Sequence, residues 1–195
     1  MMINIVIPMA GLGSRFSKAG YSEPKPFIDV NGLPMIEQVL ENLLVENCRF
    51  ILIARSEHVA EFHAALTVLK QKYNIDILEL DGTTEGTACT VLKARKFINN
   101  ESQLVVANCD QLIDMNFNDF LIDAENRNLD GSILTFVDPD RNPKWSFARL
   151  DSARMVVEVK EKVAISKYAT VGIYYFKQGS YFVDGAIDMI VNKDK

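Results

Sequence analysis

Four short apolar runs, each followed by a helical pattern, constrain this chain more than any other feature. Ile3-Asn4-Ile5-Val6-Ile7, Phe50-Ile51-Leu52-Ile53-Ala54, Ile75-Asp76-Ile77-Leu78 and Leu104-Val105-Val106-Ala107 are too short for helices and read as buried strands. Between them, Met35, Ile36, Val39, Leu40, Leu43 and Leu44 mark one face of a helix. Val59, Phe62, Leu66 and Leu69 fit a second helix, with Ser56 placed to cap it. Thr87 opens a third, and Phe117, Phe120, Leu121 and Ala124 mark a fourth. Alternation over residues 3–128 predicts βαβ units and a mostly parallel sheet.

The pattern then changes. Ser132–Val137, Ser146–Leu150, Met155–Glu161 and Ala169–Phe176 read as strands, with the turn Asp151-Ser152-Ala153-Arg154 between two of them. A last helix carries Phe182, Ala186, Met189 and Ile190. With no internal repeat and no linker, the expectation is one α/β domain with a mixed sheet over residues 1–195. The chain is 48% apolar and 24% charged, which excludes a disordered or low-complexity chain. No run reaches the ~18 apolar residues of a membrane span, and the N-terminus lacks the basic stretch of a signal peptide. A net charge of -5 argues against general nucleic-acid binding but leaves room for a small anion held by a few focused cations. Cys48, Cys89 and Cys109 are odd in number and without metal spacing, so buried, reduced thiols in a cytoplasmic protein are expected. His58 and His63, five apart on a predicted helix, read as surface residues.

Ligands of open α/β sheets bind at the carboxyl ends of the strands. The loop there after the first strand reads Met9-Ala10-Gly11-Leu12-Gly13-Ser14-Arg15-Phe16, then Pro24-Lys25-Pro26. Glycines let backbone N–H groups approach phosphate oxygens closely. Arg15 adds a planar donor fork and Lys25 a compact charge. The dinucleotide fingerprint fails, because position 16 is Phe, and the P-loop Gly-Lys-Ser/Thr is absent.

This string resembles the signature of the sugar-phosphate nucleotidyltransferases, the nucleotide-sugar pyrophosphorylases: Gly-x-Gly-x-Arg, a gap, then Pro-Lys-Pro. Glu85-Gly86-Thr87-Ala88 resembles the family's base-recognition turn, and Asn108-Cys109-Asp110 falls where the family keeps a metal-binding Asp. Glu161-Lys162 resembles its Glu-Lys-Pro segment, and Val171-Gly172-Ile173-Tyr174 its sugar-side strand. The resemblance covers nearly the whole chain in the right order. It implies a Rossmann-like three-layer sandwich with a mixed, mostly parallel central sheet, of the nucleotide-diphospho-sugar transferase type. It also implies a nucleotide-binding half at 1–128 and a substrate-binding half at 129–195.

The reaction implied is attack of a substrate phosphate on the α-phosphorus of an NTP, releasing pyrophosphate, with Mg²⁺ as cofactor. The base (CTP, UTP, dTTP or GTP) is left open, as is self-association. A sugar 1-phosphate for surface-polysaccharide or related glycan synthesis leads. A cytidylyltransferase acting on a phosphorylated non-sugar such as choline phosphate, and a non-catalytic nucleotide-binding homologue, are the alternatives. A glycosyltransferase is disfavoured by the missing Asp-x-Asp: positions 108 and 112 are Asn and Leu.

By resemblance, Arg15 and the Gly11 and Gly13 amides hold the β- and γ-phosphates, and Lys25 neutralises the α-phosphate. Met9, Ala10, Ser14, Glu85, Gly86, Thr87 and Asn108 complete the nucleotide side. Asp110 holds the metal. Lys162 holds the attacking phosphate, Glu161 accepts substrate hydroxyls, and Trp145 and Gly172 face the substrate. No general base is needed, since the nucleophile is already an anion. Three departures stand out. Position 85 is Glu where Gln is usual, and position 163 is Val where Pro is usual. The family's second metal-binding Asp has no match after Phe176, and Asp184 and Asp188 sit on a predicted helix. A truncated chain or a lost carboxylate is expected.

Overall fold

Alternation within the buried strands sends side chains to both faces of one sheet. In β1 (Ile3–Pro8), Ile3, Ile5 and Ile7 join the core on one face and Val6 the core on the other. β4 (Cys48–Arg55) divides likewise, with Phe50 and Leu52 against Ile51 and Ile53, and so does β6 (Gln103–Ala107). Helices must therefore cover both faces. The structure, a computed structural model, describes residues 2–11, 13, 16 and 18–192.

One face is covered by α1 (Met35–Asn42), α3 (His63–Lys72) and α6 (Phe117–Asn126). The other carries α4 (Thr87–Leu92), α5 (Arg95–Ile98) and α7 (Gly179–Val191). The three-layer, Rossmann-like arrangement is thus present. β1 lies between β4 and β6, and β5 (Ile75–Leu80) flanks β4, all in parallel. β10 (Tyr168–Phe176) runs antiparallel beside β6 and bears β7 (Gly131–Val137), β8 (Phe147–Leu150) and, beyond β8, β9 (Val156–Lys160). The Asp151–Arg154 turn joins β8 to β9, with Asp151 Oδ1 accepting from the Ala153 and Met155 amides.

Several details depart from the sequence reading. The helix expected to start at a Ser56 cap is two helices, α2 (Ser56–Glu61) and α3, separated at Phe62. At this junction the Phe62 ring stacks on Phe27, ring centroids 4.2 Å apart. Ser56 caps nothing, and its hydroxyl donates to Asp81 Oδ1 at 2.6 Å. His58 is no surface residue: its side chain is 12% exposed and, among the described residues, its buried Nδ1 has no partner. Burial lowers its pKa, outweighing the neighbouring Glu57 carboxylate. Cys48 and Cys109 are buried, whereas Cys89 is half-buried; all three thiols are free.

A hairpin of β2 (Asp29–Val30) and β3 (Leu33–Pro34) was not anticipated, although Asn31-Gly32 between them is its signal. Their φ angles of 55° and 91° are those of a type I′ turn. Among the described residues, no helix is long and apolar enough to cross a membrane.

Candidate active site

The site forms where β10 changes partner. Residues Ile173–Phe176 pair with β6, while Tyr168 and Ala169 pair with β8. Between these stretches β10 is bulged, its register against β7 shifting between Thr170 and Tyr174. A crevice therefore opens between the carboxyl end of β6 and the start of β8, at the point where sheet order departs from chain order. Gly172 lies in the bulge with φ +85°. A Cβ there would stand 2.1 Å from Asn108 Nδ2 and 2.5 Å from Gln111 Oε1, so a side chain would have to displace both amides and hold a left-handed backbone that favours glycine.

The loop after β6 is pinned on both sides of Asp110. Upstream, the Asn108 amide donates to the Gly172 carbonyl at 3.1 Å, and Asn108 Nδ2 donates to Gln111 Oε1 at 3.0 Å. Downstream, the Asn42 side chain on α1 bonds both backbone groups of Ile113, donating at 3.0 Å and accepting at 2.8 Å. Sequence reasoning missed both Gln111 and Asn42. Their only signal was a polar residue beside an apolar run, which many surface positions share.

Lys25 reaches this loop from a rigid turn. Pro24 and Pro26 fix its neighbours' φ angles, and Lys25–Phe27 forms a single 3₁₀ turn anchored by buried Pro26, Phe27 and Ile28. Lys25 Nζ pairs with Asp110 Oδ2 and lies 5.5 Å from the Phe16 ring centroid. Around this pair is a cavity of about 360 Å³ lined by Met9, Gly11, Gly13, Lys25, Asn108 and Asp110, with Pro8, Phe16, Pro26 and Cys109. The Met9 side chain itself is buried in the core, and Gly13 has φ +58°. Burial pushes the Cys109 thiol up to about 11, despite the opposing charge of Lys25.

A second cavity of about 490 Å³ shares Asp110 with the first. Its wall includes Gln111, Asp114, Leu134, Phe136, Trp145 and Val171. The Phe136 and Trp145 rings meet edge to face at 5.4 Å, and Lys144 Nζ lies 4.6 Å from the Trp145 centroid.

Other expected residues stand apart from the Lys25–Asp110 cavity. Ala10 is buried and does not line it. Glu85, Gly86 and Thr87 form an exposed turn at the start of α4, closed by Thr84 and Thr90 hydroxyls donating to the Gly86 carbonyl. Glu161 and Lys162 follow the edge strand β9, pair with each other at 2.6 Å and are exposed. Register relates Lys160 through Phe147 to Ala169, so they lie on the β8 side of the crevice, two strands from β10. Ser14 and Arg15 lie outside the described residues. Among the described residues no group of three or more His, Cys, Asp or Glu could hold a metal, so Asp110 stands without such a cluster.

The family model for nucleotidyl transferases matches residues 5–187. The chain belongs to that family. Among curated relatives, the bifunctional protein GlmU of Methanocaldococcus jannaschii is 26% identical over 179 residues, covering 89% of this chain and 40% of that protein. The mannose-1-phosphate guanylyltransferase catalytic subunit beta of Drosophila melanogaster is 24% identical over 175 residues, covering 88% and 47%. The chain thus spans less than half the length of these relatives. Among solved structures, a nucleoside-diphosphate-sugar pyrophosphorylase from Vibrio cholerae RC9 superposes with a TM-score of 0.77 at 27% identity, covering 95% of this chain and 78% of that one. The inositol-1-phosphate CTP transferase of T. maritima shares the fold, with a TM-score of 0.72 at 15% identity over 93% and 72%.

Proposed function

We propose that this nucleotidyl transferase chain joins an NTP to a phosphorylated small molecule, foremost a sugar 1-phosphate, and releases pyrophosphate. The observation that carries this reading is that Asp110 belongs to the walls of two cavities at once. One has a glycine-rich strand-to-loop edge and a lysine, which suit phosphates; the other has an aromatic wall, which suits the body of an acceptor. A carboxylate between them is where an α-phosphate and an incoming phosphate must meet in line. In this reading residues 1–128 serve the nucleotide and 129–195 the acceptor, and the product feeds surface-glycan synthesis in the cytoplasm.

Asp110 offers hard oxygen donors and is 32% exposed at its side chain, which fits Mg²⁺ held by one carboxylate, phosphates and water. When bound, Mg²⁺ would supply charge neutralisation along the NTP phosphates. Lys25 leaves Asp110 for the α-phosphate and stabilises the charge that develops there. The backbone N–H groups of Gly11 and Gly13 hold the β- and γ-phosphates, with Arg15 and Ser14 assigned beside them by resemblance alone. Met9 and Asn108 line the nucleotide cavity, Ala10 is assigned beside them by resemblance alone, and Glu85, Gly86 and Thr87 face the base. Trp145 and Gly172 border the acceptor, while Glu161 and Lys162 reach it from the sheet edge.

A second reading, cytidylyl transfer to a phosphorylated non-sugar such as choline phosphate, is favoured by the apolar second cavity. Its Trp145 face already receives an ammonium, that of Lys144. Pyrophosphate release with CTP, UTP, dTTP and GTP against sugar 1-phosphates and choline phosphate, with Mg²⁺, tests both readings. Turnover with a sugar 1-phosphate supports the first, and turnover with CTP and choline phosphate supports the second. NTP binding without any turnover refutes both in favour of a non-catalytic homologue.

A further inference from the structure

We propose that Gln111 is a positioning residue that aims Asp110 through Asn108; this rests on the reading of Asp110 as the metal-holding carboxylate. Asn108 and Gln111 bracket Asp110 in the chain, and their side chains bond across it at 3.0 Å. The pair sits so closely on Gly172 that a methyl group there would overlap both amides. Asn108 also donates its backbone N–H to the Gly172 carbonyl. The chain from 108 to 111 is thereby folded back on itself over β10, with Asp110 at the turned-out position and Ile113 held by Asn42 beyond it.

The pair also straddles the crevice. Asn108 lines the cavity shared with Lys25, and Gln111 lines the cavity shared with Trp145. One hydrogen bond therefore ties the wall of the nucleotide side to the wall of the acceptor side, and Asp110 stands where they join. If the Gln111 acceptor is removed, Asn108 Nδ2 loses its partner, and the peptide that carries Asp110 loses its brace. The carboxylate then samples several directions, and metal affinity falls although Asp110 itself is intact. Groups that orient a metal's ligand typically contribute ~10- to 100-fold in affinity.

The test is Mn²⁺ binding, followed by electron paramagnetic resonance in the presence of inorganic tripolyphosphate, which is independent of the base. Gln111→Leu keeps the bulk and removes the acceptor, and it is expected to weaken Mn²⁺ binding ~10-fold. Gln111→Glu keeps the acceptor and is expected to bind Mn²⁺ at least as well as the native chain. Asn108→Ala combined with Gln111→Leu is expected to lose no more than the worse single variant, because both break one bond. Additive losses, or a Gln111→Glu loss equal to that of Gln111→Leu, overturn the proposal. Native-like Mn²⁺ binding by Gln111→Leu while Asp110→Asn has lost it overturns the proposal alone. Native-like binding by Asp110→Asn overturns the reading of Asp110 and the proposal with it.

Discussion

Replacing Gly172 by alanine applies a known overlap to a known place. The backbone there has φ +85°, which an L-residue adopts at a cost of about 1–2 kcal/mol. The new Cβ would lie 2.1 Å from Asn108 Nδ2 and 2.5 Å from Gln111 Oε1, so the amide pair must separate. Losing that bond costs about 1 kcal/mol more. The sum is about 2–3 kcal/mol, which for a chain of this length lowers the melting temperature by about 4–12 °C. Urea unfolding should show a lower midpoint with an unchanged slope. Gly11→Ala is the control: a Cβ there meets nothing within 4 Å, so its midpoint should stay within about 0.5 kcal/mol of the native chain. A Gly172→Ala midpoint equally close to the native value would refute the reasoning, because β10 would then have room for a side chain at its bulge.

Lys25→Ala should lower kcat by about 10²- to 10³-fold, as loss of one preorganised donor does. Its partly exposed pair with Asp110 contributes little stability, so melting should shift by less than about 1 kcal/mol; native turnover in a pyrophosphate-release assay contradicts the role. Asn42→Ala strips both partners from the Ile113 backbone and should destabilise by about 2 kcal/mol in urea; an unchanged midpoint means the loop after β6 holds itself. Cys109, raised from its ordinary 9.0 to about 11, stays protonated in the folded chain while the unfolded chain ionises. Stability should therefore fall as pH rises through 9 to 11, with no contribution from this group below 9. A Cys109→Ala variant that keeps the full alkaline loss between those values rules the thiol out. Iodoacetamide at pH about 8 should label half-buried Cys89 before buried Cys109, read by mass spectrometry.

What was legible in the sequence is what repeats. Ile3, Ile5 and Ile7 against Val6, or Phe50 and Leu52 against Ile51 and Ile53, write two buried faces into every second residue, so the strands and the layers on either side can be read directly. Lys25 was legible because two prolines frame it, whereas Gly172 was picked out only by the family resemblance of Val171-Gly172-Ile173-Tyr174. The rest depends on single encounters between distant segments. Phe62, at the junction of α2 and α3, stacks on Phe27, and no periodicity carries that information. His58 reads as exposed from its spacing to His63, yet it lies in the first turn of α2, directly after β4, where its side chain is largely buried. Asn42 and Gln111 are ordinary amides until Ile113 and Asn108 meet them.

The charge balance of the cavity gives the acidic composition its meaning. Among the described residues lining it, Lys25 and Asp110 are the charged ones, and they neutralise each other. A paired site presents little net field to either a lone polyphosphate or a lone cation. A metal ion that takes Asp110 frees Lys25 for a phosphate, and a phosphate that takes Lys25 frees Asp110 for a metal. Each binding event removes the competitor of the other, which makes the two favour one another by linkage. In the proposed reading, a chain with a net charge of -5 binds a polyanion because a cation held by Asp110 would free Lys25 for it.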